Sequence, residues 1–120
     1  MSDKTAIESV IKTYADSMNE SDADKVRKAF HPSAKVTGYL PDGVHEMGTE
    51  DFASFVAAQS PPKETDDPVT LAIVSLEIAG KTAVAQARDN YLGMTFLDTL
   101  SFLKVEERWT IYNKLFHVES

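Results

Sequence analysis

The segment Ala83-Val84-Ala85-Gln86-Ala87-Arg88-Asp89-Asn90-Tyr91 carries the sharpest chemical pattern in the chain. In a strand, alternate residues share a face, so Ala83, Ala85, Ala87, Asp89 and Tyr91 point the same way. Small side chains followed by an acid and a phenol describe a hollow rather than a filled core. A carboxylate lining a hollow loses solvation and its pKa rises, which suits a general acid or base. A bulge would reverse the phase, turn Arg88 and Asn90 inward and leave Asp89 in water. A second phenol, Tyr14, stands inside an apolar helical stripe, where a core tyrosine would need only a backbone or water partner. Lys114 shares its strand phase with Tyr112 and Phe116. A lysine among aromatics can bind an anionic group, or its stem can carry the ammonium out to solvent.

These residues must be positioned by helices and then strands. Ile7, Val10, Ile11, Tyr14, Ala15 and Met18 fall at i, i+3, i+4, i+7, i+8 and i+11, one face of a first helix capped by Thr5 or Asp3. Ser21 is the expected N-cap of a second helix, with Val26, Ala29 and Phe30 buried and Pro32 stopping it. Lys35 to Leu40 and Val44 to Met47 form short strands around the Pro41-Asp42-Gly43 turn. Thr49 caps a third helix with Phe52, Phe55 and Val56 on one face, ended by Pro61-Pro62. Four long strands follow, Val69–Ala79, Thr82–Leu92, Thr95–Val105 and Trp109–Val118, joined by turns at Gly80-Lys81, Gly93 and Glu106–Arg108.

This order predicts an α+β fold, with helices packed on one face of an antiparallel sheet. The third long strand is apolar on both phases. Leu97, Leu103 and Val105 share one, and Phe96, Leu100 and Phe102 the other. One phase must face the helices, and the other needs a different cover. A homodimer through the outer sheet face, carried by Leu100 and Phe102, is the expectation.

The 120 residues fit one domain, residues 1–120, with 42% hydrophobic and 26% charged content typical of globular chains. Absence of cysteine excludes disulfides, a thiolate nucleophile and cysteine-held metals. A net charge of −7 argues against nucleic acid and anionic membranes as partners. The N-terminus has no apolar run of the secretory type, and no stretch approaches the ~18 apolar residues of a membrane span. A cytoplasmic location is expected.

His31 sits at a helix end and is expected to meet its carbonyls. His45 is expected to be exposed, and His117 could reach a pocket mouth. Their spacing matches no metal motif, so no metal or cofactor is expected. Asp98 falls on the phase of Leu100 and Phe102, which places it at the dimer face or a strand end, paired with Lys114 or Arg108. Phosphate-binding, dinucleotide and nucleophile-elbow motifs are absent from the sequence.

The helical pattern Ala6-Ile7…Tyr14, the turn Glu20-Ser21-Asp22-Ala23-Asp24, Ala29-Phe30-His31-Pro32, Asp98–Val105 and Trp109–His117 together resemble the nuclear transport factor 2-like superfamily. Within it the chain looks most like the small bacterial group labelled "putative lumazine-binding". More distantly it resembles ketosteroid isomerase and polyketide cyclases. The resemblance implies a cone-shaped α+β barrel, helices closing the cone, a pocket inside and commonly a homodimer. It also implies that Tyr14 matches a tyrosine that donates to a substrate oxyanion, and that Asp89, Tyr91, Tyr112, Lys114 and Phe116 face the cone. The isomerase's catalytic aspartate falls near Gly38-Tyr39, where this chain has no acid. Its second carboxyl falls at Ser101, leaving Ser101 and Thr99 as pocket hydroxyls.

The expectation is a pocket for a small, partly apolar ligand, with Tyr14 and Asp89 as catalytic candidates. Tyr91, Thr99, Ser101, Tyr112, Lys114 and Phe116 are the binding candidates. If the pocket turns its ligand over, the chemistry is cofactor-independent isomerisation, dehydration or cyclisation by proton transfer. The alternative is a non-catalytic association module with a filled cone. Cavity size separates the two, since small-molecule sites run to ~300–1,000 Å³.

Overall fold

The apolar periods settle into the expected elements in a computed structural model of the chain, which describes residues 2–120. Helix α1 spans Asp3–Glu20 and α2 spans Ala23–Ala29. Strands β1 (Phe30–Leu40) and β2 (Gly43–Gly48) precede α3 (Thr49–Ala57). Strands β3 (Leu71–Ala79), β4 (Thr82–Tyr91), β5 (Met94–Val105) and β6 (Arg108–Val118) complete the chain. Among the described residues, no helix is long and apolar enough to cross a membrane.

The helix ends differ from expectation in ways the backbone explains. Ser2, not Thr5 or Asp3, caps α1 through its hydroxyl. Ser21 closes α1 in the left-handed region (φ 52°). Asp22 therefore becomes the N-cap of α2, its carboxylate accepting from the amides of Asp24 and Lys25. Gly48 holds the N-cap position of α3 without a side-chain bond, and the Thr49 hydroxyl instead donates to the His31 carbonyl at 2.6 Å.

The sheet runs β2-β1-β6-β5-β4-β3 and curves without closing, so β2 and β3 are its two edges. The long strands form the expected antiparallel meander. One pairing, β1 with β6, is parallel and so departs from the all-antiparallel expectation. Ile7, Ile11, Tyr14 and Met18 of α1, Val26 of α2 and Phe52 and Val56 of α3 pack in one core with the inward sheet residues.

Cross-strand pairing decides the inward phase. Ala83, Ala85 and Ala87 of β4 lie opposite Phe102, Leu100 and Asp98 of β5. Opposed residues share a face. The alanines leave space that the large β5 side chains fill, and Leu100, Phe102 and Asp98 are buried. This overturns the placement of Leu100 and Phe102 on an outer face. The phase left outside carries Leu97, Thr99, Ser101 and Leu103, each half-buried. A choice between two apolar phases was not available from hydrophobicity alone; the small residues of the neighbouring strand make it.

A second irregularity positions the last strand. In β6, Ile111 pairs with Phe102 and Asn113 with Ser101, leaving Tyr112 as the extra residue of a bulge. Ile111 and Lys114 therefore both face the core, while Tyr112 leaves the phase of Lys114 and packs on His31, ring centroids 5.2 Å apart.

Gly38 of β1 is the close neighbour of Phe116 on β6. A Cβ at Gly38 would stand 2.5 Å from both Phe116 Cδ1 and the Phe116 carbonyl oxygen. Because backbone is involved, the clash cannot be relieved by side-chain rotation alone. Gly38→Ala should lower stability by about 1–3 kcal/mol. Urea unfolding checks this, and an unchanged midpoint would contradict the packing of Phe116 against β1.

Candidate functional site

The cavity opens among α1, α3, the β1–β2 hairpin and the ends of β4, β5 and β6, with a volume of about 250 Å³. Its walls are mainly apolar, including Met18, Val36, Phe52, Phe55, Phe96 and Phe116. Four polar side chains reach the wall: Asp89, Tyr91, Lys114 and His45. The strand phase expected from the alanine pattern thus holds for Asp89 and Tyr91, both buried.

Behind Asp89 lies a residue assigned from the sequence to a structural role. Asp98 is 0% exposed, and its Oδ2 accepts a 2.7 Å hydrogen bond from the Tyr14 hydroxyl, also fully buried. Asp98 sits opposite Ala87, one diagonal step from Asp89 on the same face. This corrects its placement at an outer face with Lys114 or Arg108 as an ion-pair partner. The signal was present in the sequence as the alternation of Phe96, Asp98, Leu100 and Phe102, once the correct phase is chosen.

Burial, a hydrogen bond to Asp98 and the negative charge of Asp98 together push the Asp89 carboxyl up to about 9, against a smaller downward pull from Lys114. A carboxyl can donate to another carboxyl only when it is protonated. Asp89 is therefore the carboxyl that keeps its proton at neutral pH, and Asp98 Oδ2 accepts from Tyr14. Tyr14 is held well above the usual phenol range, by burial first and then by the neighbouring acids, Asp98 before Asp89. Tyr14 and Asp89, expected as a facing pair, have Asp98 as a common neighbour: Tyr14 by its hydrogen bond, Asp89 by its diagonal position across the strand pair. Tyr14 is absent from the cavity wall.

Tyr91 is pushed up to about 12 by burial, and its hydroxyl has no partner among the described residues. Lys114 is 7% exposed, with Nζ 4.8 Å from the ring centroids of Tyr14 and Phe52 and 5.9 Å from that of Phe116. Its ammonium stays inside rather than reaching solvent.

The remaining candidates separate from this group. Thr99 and Ser101 lie on the outer phase of β5, and Thr99 accepts there from Gln86 at 3.3 Å. Tyr112 is turned away by the β6 bulge. Phe116 lines the cavity as expected. His45, expected in solvent, is half-buried on the wall and bonded to Asp42 at 2.7 Å. His31 accepts the Ser33 amide on Nδ1, and His117 is exposed away from the wall. No cluster able to hold a metal ion occurs among the described residues.

The family described as "Putative lumazine-binding" matches residues 2–117. The chain belongs to this family. The structure of this family member is similar to a nuclear transport factor 2-like protein of unknown function from Silicibacter pomeroyi, at 23% identity and TM-score 0.88, covering 96% of this chain and 94% of that one. A nuclear transport factor 2-like protein from Shewanella baltica shares 25% identity at TM-score 0.86, covering 98% and 94% of the two chains. One from Methylobacillus flagellatus shares 27% identity at TM-score 0.87, covering 98% and 93%. No curated protein matches the chain. The fold of this family member is therefore nuclear transport factor 2-like, as the sequence resemblance implied.

The carboxyl pair makes a pH-dependent contribution with a definite sign. Asp89 has a folded pKa raised above its unfolded value of ~4, so its contribution to stability is full below ~4 and is lost as pH rises toward about 9. Asp89→Asn keeps the size and polarity of the side chain and cannot ionise. The variant should be more stable than wild type by about 1–3 kcal/mol at pH 8, with a flatter profile between pH 5 and 9. Thermal unfolding across that range checks this. Parallel profiles for the two proteins would show that Asp89 is ionised in the folded state.

Proposed function

We propose that the cavity binds a small, partly apolar molecule and that the Asp89–Asp98 pair moves a proton on it. The observation that carries this reading is a buried carboxyl on an apolar wall, with a second buried carboxyl diagonally across the strand pair that accepts from Tyr14. Asp89 gives its proton to one atom of the ligand while the ligand returns a proton from another atom to the pair, so the charge on the two carboxyls is the same before and after the turnover. This division of labour suits cofactor-independent isomerisation, dehydration or cyclisation, each of which needs a proton donor and acceptor in a water-poor site. Tyr14 acts here as a positioning residue for Asp98, while Asp89 touches the ligand.

The volume of about 250 Å³ is just below the ~300–1,000 Å³ usual for small-molecule sites, so the ligand is compact. The family description names lumazine, a fused two-ring heterocycle. A two-ring body between Phe52, Phe96 and Phe116 is consistent with the wall chemistry.

A homodimer through the convex sheet face is part of the same proposal, now resting on different residues. Leu115 is 56% exposed there, Val84 is exposed, and Leu97 and Leu103 are half-buried. A second copy would cover this phase without occluding the cavity, which lies on the other face of the sheet.

Native mass spectrometry of freshly purified protein tests both parts. The expected spectrum shows twice the chain mass and releases a retained small organic molecule on activation. A bare monomer that also gains no thermal stability from any member of a library of one- and two-ring heterocycles would overturn the proposal.

A further inference from the structure

Every polar group on the cavity wall near Asp89 offers a proton, and none offers a free negative charge. Lys114 Nζ has three N–H groups and forms no hydrogen bond or ion pair among the described residues; its near neighbours are ring faces. The Tyr91 hydroxyl is buried without a partner. Asp89 is the proton-bearing member of the carboxyl pair, and its Oδ2 also has no partner. The second carboxyl, Asp98, stands off the wall and accepts from Tyr14. Ring faces compensate an ammonium only partly for lost water. Lys114 is therefore the group whose energy an incoming ligand improves most.

From this arrangement we infer that the ligand is an oxyanion: an aromatic or fused-ring carboxylate or enolate whose charged oxygen docks on Lys114. The inference rests on the reading of the cavity as a small-molecule site and names the class of molecule that site takes. The ring body lies among Phe52, Phe96 and Phe116. One anionic oxygen accepts from Lys114, and a second acceptor on the ligand meets Asp89 or Tyr91. A cationic ligand is disfavoured by repulsion from Lys114, whose charge no carboxylate on the wall offsets. A neutral amide of the same shape can fill the walls but forgoes the charge-assisted bond to the ammonium.

Three probes of one shape separate the possibilities by calorimetry at pH 7: 2-naphthoate, 2-naphthamide and 2-naphthylmethylammonium. The expected order places naphthoate at least ~tenfold tighter than the amide, the size of one hydrogen bond to a charged group, with the ammonium compound not bound. Lys114→Met should abolish the preference for naphthoate while keeping the amide's affinity, and Lys114→Arg should retain the preference. The wild-type comparison stands by itself if a variant fails to fold. Equal affinity for naphthoate and the amide, or tighter binding of the ammonium compound, would overturn the oxyanion assignment and leave the cavity reading intact. Failure of all three to bind folded wild-type protein would overturn that reading and this inference together.

Discussion

The buried group of Tyr14, Asp98 and Asp89 is the constraint around which the rest of the molecule is arranged. Two carboxyls in an apolar interior cannot both ionise cheaply, because each loses its water and each repels the other. Keeping a proton on Asp89 and giving Asp98 a phenol donor reduces both costs. The three side chains come from α1, β5 and β4, so the group ties the first helix to the centre of the sheet. It also sets the character of the cavity, where a neutral carboxyl rather than a carboxylate faces any ligand.

The space that ligand would occupy follows from local sequence choices. Alanines on β4 take little of the interior, so the large β5 residues opposite fill it toward α1, while Asp89 and Tyr91 at the strand's end stand beside open volume. The β6 bulge at Tyr112 then turns Lys114 inward, onto the faces of Tyr14 and Phe52. Without the bulge, Ile111 and Lys114 would lie on opposite faces, because side-chain direction alternates along a regular strand. One extra residue thus puts an ammonium on the cavity wall.

Legibility in the sequence followed the same physics. The helices and the meander were readable because their apolar periods are long and their turns carry proline and glycine. The inward phase of β4 was readable because three alanines, an acid and a phenol alternate without interruption. The phase of β5 was not, since both of its faces are apolar and the decision lies with a partner strand. Asp98 was misplaced for that reason alone, and Thr99 and Ser101 moved to the outer face with it. Tyr112 was lost to a bulge, which no periodicity signals in advance. His45 reached the wall through the turn of a hairpin, whose geometry a short polar stretch does not specify.

The central claim is that Asp89 is a protonated acid in the folded protein at neutral pH. Carbon-13 NMR of protein labelled at the aspartate side-chain carboxyls, titrated from pH 3 to 10 with Asp89→Asn supplying the assignment, measures this directly. The account predicts that the Asp89 carboxyl keeps the shift of the protonated form through pH 7 and titrates toward about 9. A resonance that titrates near the unperturbed value of ~4 would contradict it.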